Sequence, residues 1–545
     1  MSQEFYAARV TAFRPGELTG ASTYPIGADA IGAPPQLPFE TEATAVFRAS
    51  DSGYRTEVIS GDVRVYPPVL ERAVDLDRQI TLSPLSAAAS LSWGSLRLVN
   101  ADSRWDGIST VFSADGRQVD LLHGRRSYDL ARGLWQDPPE ASLTLLFRGL
   151  AGAWSLSEDA LVIPLRDASY WLQQRYQQSV YGGTGGLDGD EDLAGQSIPR
   201  VRGGTPAAPI RHVTPVLVDA VNRIYQYSDG PGTVVQVYEN AAAGFAYGGN
   251  VADLYSGSTA PGGYRTDNAR GLFQLGSVAV GRITADVTGA FPTAGALTEA
   301  RDIARYLLTE DMGMDPALLD LTSFAALPTG ATSGWCWESG DESTGADAVS
   351  MLLRGLGAKL LPGRDGRLRA SALRALAPTA VPMADLGPAE IVSLAPVSLG
   401  DPLDPPAYRW RIGYARMHTV QTSGVSELLP DDQRRAVATA WPLAYWISPD
   451  VQAAYIAPSD PEIVETALLI PDQAIALANA IGALWSRRRR LYAVELPVEI
   501  GMTLDIGAVI RLTYPYGDLR GGVLGQITGD QLRGQDGMIT ITVLV

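Results

Sequence analysis

Along most of this chain apolar and polar residues alternate in short runs punctuated by glycine and proline, the period-two pattern of half-buried strands. Residues 5–13, 45–47, 54–59, 63–65 and 95–100 (S-L-R-L-V-N) are read as strands of this kind, and a loose G-A-D-A-I-G-A-P-P-Q-L-P insert at 27–38 as a Pro-rich loop. Two stretches far apart in sequence read as the same small unit. The first runs V-D-L-L-H-G at 119–124, L-L-F-R-G-L-A-G-A-W at 145–154, a polar turn at Glu158 and Asp159, and a strand at 160–165. The second runs T-L-D-I-G at 503–507, G-V-L-G-Q-I-T-G at 522–529, a turn at 534–537 and a final strand at 538–545. In both, a glycine opens a strand, a second strand carries glycines where backbones approach closely, and a hairpin closes the set.

Helical periodicity is confined to a few places. Thr298 is placed to cap E-A-R-D-I-A-R-Y-L-L-T-E, in which Ala300, Ile303, Tyr306 and Leu307 share a face. A second helix is expected over 345–355 after Asp341-Glu342-Ser343-Thr344, followed by a hairpin through A-K-L-L-P, G-R-D-G and R-L-R-A-S-A-L. A third starts after Pro471-Asp472 and carries Ile475, Leu477, Ala478, Ile481 and Leu484 to Trp485. Asp167 is read as the N-cap of a short helix, and N-A-D-S-R-W-D-G after Asn100 as a turn.

These patterns predict a mainly β fold with interspersed helices (α+β), multidomain, with two related small β-barrel units. A chain of 545 residues is too long for one core and holds three to five domains of ~100–200 residues. The expected divisions are 1–75, an N-terminal β segment suited to an adaptor or partner-binding role; 76–180, the first barrel unit; and 181–295, a Gly-rich loop with an inserted β-domain. After these come 296–395, an α+β domain, and 396–545, a region with a helix and the second barrel unit. A chain with two similar units builds a ring of doubled pseudo-symmetry from few subunits, so the units are expected side by side in space. That points to a ring or hub before it points to an enzyme.

Charge changes this picture modestly. The net charge is −17, and Lys359 is the only lysine among 43 Lys and Arg residues, a bias that a GC-rich genome explains. A negative chain is repelled by duplex DNA and suits the wall of a conduit that DNA passes without sticking. With Cys336 as the only cysteine, a disulfide within one chain and a Cys-rich zinc or iron-sulfur site are excluded, and only His123, His212 and His418 could add imidazole ligands. The first residues lack a basic and apolar leader and no apolar run approaches ~20 residues, so synthesis and folding in a cytoplasm are expected.

Candidate chemistry is weak throughout. Asp188, Asp190 and Asp192 in G-L-D-G-D-E-D-L alternate like the start of a calcium loop, but the glycine and closing glutamate that would complete the oxygen shell are missing, so they read as a solvated acidic turn. Arg487 to Arg490 read as cations at a helix C-terminus, with inter-subunit ion pairs as the alternative. No phosphate cradle, G-x-S-x-G elbow or H-E-x-x-H pair occurs. A glycosidase carboxylate pair, whose members need only be ~5–10 Å apart in space, is not singled out by any residue. Trp335, Trp337, Trp441, Tyr445 and Trp446 could stack on sugars, although packing in a core or subunit interface is the plainer reading. No residue is assigned a catalytic, cofactor-binding or metal-binding role.

Three runs carry a resemblance: Y-G-G-T-G-G-L-D-G-D-E-D-L-A-G-Q-S-I-P-R at 181–200, V-T-P-V-L-V-D-A-V-N-R-I-Y-Q-Y-S-D-G-P after it, and A-P-G-G-Y-R-T-D-N-A-R-G-L-F-Q-L-G at 260–276. With S-M-L-L-R-G-L-G-A-K-L-L-P-G-R-D-G-R-L-R and the terminal G-A-V-I-R-L-T-Y-P-Y-G-D-L and V-L-G-Q-I-T-G-D segments, they resemble baseplate hub and tail-tip proteins of long-tailed, siphovirus-like phages and prophages of GC-rich proteobacteria. The resemblance covers most of 79–545. It implies barrels of tail-hub type in a structural virion protein at the distal end of the tail, assembled in the host cytoplasm. It further implies a homotrimer, or alternatively a hexamer, around the DNA conduit. Implied partners are distal tail or tail tube proteins, other baseplate proteins, a central fibre or spike, and the tape measure protein; no cofactor is implied. The alternatives are a tail-associated polysaccharide hydrolase and a host receptor-binding module.

Overall fold

The computed structural model describes residues 2–14, 44–72, 75–86, 89–400, 403–533 and 537–545, so the Pro-rich insert at 27–38 and most of the turn at 534–537 lie outside the described residues. The protein is mainly β, with several sheets and a few helices. Its first large sheet runs, in spatial order, Thr44–Ser50, Ser2–Phe13, Gln118–Asp129, Thr144–Ala151, Ala160–Arg166, Ser95–Val99 and Leu70–Arg72. Its second runs Ala384–Leu386, Val509–Leu512, Val523–Arg533, Met538–Leu544, Leu491–Pro497 and Ser393–Val397.

Set the outer strand Thr44–Ser50 aside and the two sheets have one topology. Numbered by order along the chain within each unit, the six strands lie in space as 1-4-5-6-3-2 in both. Each unit also places a short helix between its third and fourth strands, Asp106–Val111 in one and Val498–Gly501 in the other. They differ at strand 1, which pairs antiparallel in the first unit and parallel in the second. Residues of both enter a single hydrophobic core, which includes Leu121, Phe147 and Ile163 of the first and Ile510, Ile527 and Ile541 of the second, all fully buried.

Several expectations are corrected. Residues 1–75 are not a separate segment: Ser2–Phe13 lies inside the first sheet, paired with Gln118–Asp129 from Ser2↔Ser127 to Val10↔Val119. The segment after it leaves the first unit altogether. Asp75–Ile80 and Ala89–Ser92 form a hairpin that joins the second sheet through Asp75–Ile80, whose Arg78 faces Asp530 in register. The second unit begins with Ala384–Leu386, earlier than 396, because a three-residue strand carries too little alternation to be read. T-L-D-I-G at 503–507 is a turn that leads into a strand: Gly507 sits at φ 92°, reserved for glycine, and the strand opens at Val509. The N-A-D-S-R-W-D-G turn leads into the helix Asp106–Val111.

The glycines of the fifth strands do bring backbones together. A Cβ on Gly149 would stand 2.4 Å from the Arg166 carbonyl oxygen, and one on Gly529 2.8 Å from that of Arg78. Neither oxygen can retreat without breaking a ladder. Gly149→Val is therefore expected to cost at least ~1–3 kcal/mol in chemical denaturation; a change under about 0.5 kcal/mol would show that this strand has slack.

Between the units the chain builds two further bodies. Residues 210–289 form an inserted β-domain of a four-stranded and a five-stranded sheet that share a core of Val213, Val237, Phe273, Leu275 and Val287. The third body surrounds the helices Ala300–Tyr306, Gly345–Arg354 and Pro471–Trp485 and the hairpin Ala358–Pro362 with Leu368–Ala372. Gly345–Arg354 forms where expected: Thr344 accepts from the Asp347 N–H while Asp347 answers to the Thr344 N–H, a capping box, and Ala348, Val349, Leu352 and Leu353 make its buried face. Asp167 caps Ala168–Gln173 by accepting from the Ser169 N–H at 2.6 Å. Among the described residues no helix is long and apolar enough to cross a membrane.

Candidate assembly interface

Where the lent hairpin joins the second sheet the contact is polar. On Asp75–Ile80 the alternation puts Arg78 on the same face as Leu76 and Ile80, so an arginine enters the interior and is 1% exposed. Its Nε donates to Asp530 at 3.0 Å, one Nη to Asp505 at 2.8 Å and the other to the Pro362 carbonyl at 3.1 Å. Arg364 reaches Asp530 from the opposite side and donates to the Leu504 carbonyl at 3.0 Å, and Arg369 pairs with Asp505. Burial pushes the Asp530 carboxyl up, but the Arg78 and Arg364 guanidinium groups overcome it and hold it below the ordinary carboxylate value. Asp505 is held low in the same way, by Arg78 and then Arg369.

Arg364 comes from the G-R-D-G turn of the hairpin Ala358–Pro362 with Leu368–Ala372, so the third body supplies a wedge for the joint. The same turn holds the first unit through its backbone, where the Arg148 N–H donates to the Arg364 carbonyl at 2.7 Å. One turn thus touches both units.

The outer surfaces are chemically distinct. Across the first sheet Arg48, Arg9, Asp120 and Arg148 stand opposite one another on four adjacent strands, which puts their side chains on one face. Asp120 binds Arg9 at 2.7 Å and Arg148 at 2.7 Å, and Glu140 binds Arg64 at 2.7 Å. In the second unit the edge strand Ser393–Val397 is open along its outer side among the described residues, with Val397 42% exposed and neighbouring Val392 51%. Pro396 within it is typical of an edge, where a missing N–H costs no ladder bond. An open edge of this kind accepts another strand.

The residues singled out by sequence are scattered. Asp188 anchors its own loop, accepting from the Gly182 N–H at 2.9 Å and the Thr184 hydroxyl at 2.7 Å, and among the described residues no group of three or more His, Cys, Asp or Glu side chains is placed to hold a metal ion. His123 lies in the first sheet, His212 in the inserted domain bonded to Thr284 at 2.9 Å, and His418 against Trp335, where burial and then Arg416 bring its pKa down to about 3. Cys336 is buried. Trp335 and Trp337 are core residues, Trp335 stacking on Trp441 with Arg416 over it, and Trp446 packs on Gly482; Tyr445 is half exposed. Past the end of Pro471–Trp485, Arg489 donates to the Leu484 carbonyl at 2.7 Å, Arg488 lies 3.7 Å from Asp404 and Arg490 pairs with Asp518.

No protein-family model matches the chain, and no curated protein matches it in sequence. Solved structures do resemble it. A tail protein from Neisseria meningitidis MC58 aligns with a TM-score of 0.38 and 10% identity over 90% of this chain and 96% of its own. The 43 kDa tail protein of prophage MuSo2 from Shewanella oneidensis aligns with a TM-score of 0.36 and 7% identity over 90% and 95%. A chain of the native gene transfer agent virion aligns with a TM-score of 0.36 and 16% identity over 69% and 91%.

Sequence reasoning missed the buried arginines. The signal was there for Arg78, whose place in D-L-D-R-Q-I shares the apolar phase of Leu76 and Ile80.

Proposed function

We propose that the chain is a structural component of a phage-type tail tip, a hub or adaptor that closes a ring around the DNA conduit and joins the tail tube or distal tail protein to a central fibre or spike. The observation that carries this reading is the shared strand order of two units fused over one core. Three such chains present six similar units, so a sixfold tube meets near-identical partners all round while a threefold fibre meets the trimer itself. The ring assembles through interfaces and performs no chemistry. Its net charge of −17 disfavours adhesion of DNA to the conduit wall.

The test is the shape of the purified protein in solution. Mass photometry and electron microscopy at micromolar concentration are expected to give closed trimers with six similar lobes, symmetry being determined and not imposed. Compact monomers that persist at high concentration would overturn the reading, and zymogram activity on cell-wall polysaccharide would favour the hydrolase instead.

A further inference from the structure

Away from the joint, the third body contains a cavity of about 250 Å³ between Pro471–Trp485, the end of Gly345–Arg354, the strand Ala358–Pro362 and the neighbourhood of Leu82. Leu356, Leu477, Ile481 and Trp485 give it apolar walls. Its charged lining is one-sided: Arg354, Lys359 and the exposed Arg374 line it, and no carboxylate does. Lys359 is the only lysine of the chain and 5% exposed. Its ammonium donates to the Ser83 carbonyl at 2.8 Å, leaving further donor capacity.

Two other polar groups are unfinished. The Arg354 Nε is buried without a partner, although one of its Nη groups donates to the Glu465 carbonyl at 3.3 Å. The Gln473 Oε1 is also buried without a partner, its amide nitrogen meeting the Thr332 hydroxyl at 3.3 Å. Because that hydroxyl both donates and accepts, the amide can turn over and offer its NH2 to the cavity. An orphaned buried donor is destabilising unless something accepts from it. Burial, and then the charge of Arg354, lower the Lys359 pKa to about 8, while burial lowers that of Arg354 against the charges of Glu465 and Asp347.

We propose that this cavity binds a medium-chain alkyl carboxylate, its chain against Leu477, Ile481 and Trp485 and its head between Lys359 and Arg354. A monoanion meets both cations at once and supplies the acceptor they lack. A volume of about 250 Å³ suits a medium-length chain and excludes a long lipid. The site is independent of the assembly reading.

Calorimetric titration of the full chain with sodium octanoate is expected to show one saturable site, with octan-1-ol at least tenfold weaker and octylammonium weaker than both. Lys359→Met, checked for folding by circular dichroism, should lower octanoate affinity at least tenfold and leave octanol unchanged. With lysine labelled at 13Cε the chain gives one lysine resonance. It should titrate near pH 8 in the free protein and move upward by about one unit or more under saturating octanoate, because the bound carboxylate favours the ammonium. Equal affinities for octanoate and octanol, no saturable octanoate binding, or a titration indifferent to octanoate would each overturn the proposal. Tighter binding of a Leu-ended peptide with a free carboxylate would overturn it in favour of a protein tail as occupant.

Discussion

Replacing Asp530 with asparagine is expected to remove roughly 3–5 kcal/mol of stability in chemical denaturation, although it adds no bulk. The residue is 5% exposed and faces Arg78 and Arg364, both buried. Without its charge two guanidinium groups stay inside the protein with Asp505 as the nearest anion, and an uncompensated buried charge is among the costliest defects a core can hold. The pH dependence supplies a second check. A carboxyl whose folded pKa is depressed gives stability that is fully present above its unfolded value, near 3.8, and is lost as pH falls through the folded value. The gap between the natural chain and Asp530→Asn should therefore be constant above about pH 5 and shrink below pH 4. A gap under 1 kcal/mol, or one that grows in acid, would mean that the arginines find other partners.

The second large effect is expected at Asp311, where the inserted β-domain is fastened to the third body. Arg202 holds it bidentately at 3.0 and 2.8 Å, and the Tyr176 hydroxyl donates to it at 2.5 Å. Arg200 lies over the Tyr176 ring and donates to Asp229 at 2.6 Å. Burial and then Asp311 shift the Tyr176 phenol well above its ordinary value, against the opposing charges of Arg202 and Arg200, so it remains a donor. Asp311→Ala leaves Arg202 with Asp229 at 3.4 Å as its paired carboxylate beside the Val201 carbonyl at 3.0 Å. The expected loss is again roughly 3–5 kcal/mol, with a different signature: limited proteolysis should cut first in the exposed stretch 292–296, nicking the connection that follows the β-domain. Equal protease resistance in the two proteins would remove Asp311 as the fastening.

Where local chemistry decides an element, the sequence was legible. Thr344 and Asp347 announce their helix through a cap, and Pro471-Asp472 opens another in the way proline and an acidic first turn do. The fifth strands betray themselves by glycines that a neighbouring carbonyl requires. Illegible were the pieces set by partners far along the chain. Leu70–Arg72 and Ala384–Leu386 are strands only because a longer strand offers them a ladder, and nothing within D-L-D-R-Q-I says that its partner is Val523–Arg533. The candidate interface was legible as a repeat but not as a joint, since its decisive residues look like surface charges until their register is known.

The hairpin lent by the first unit to the second has a consequence for synthesis. Arg78 leaves the ribosome early, yet Asp530 lies 452 residues further on, close to the end of the described chain. Throughout translation the lent hairpin has only its own ladder and Arg78 lacks Asp505 and Asp530, so the joint closes only after the last strands emerge. A chain cut short before Val523 would keep an open edge and a mobile second sheet. The exchange thereby ties closure of the second sheet to a residue 452 positions further along the chain.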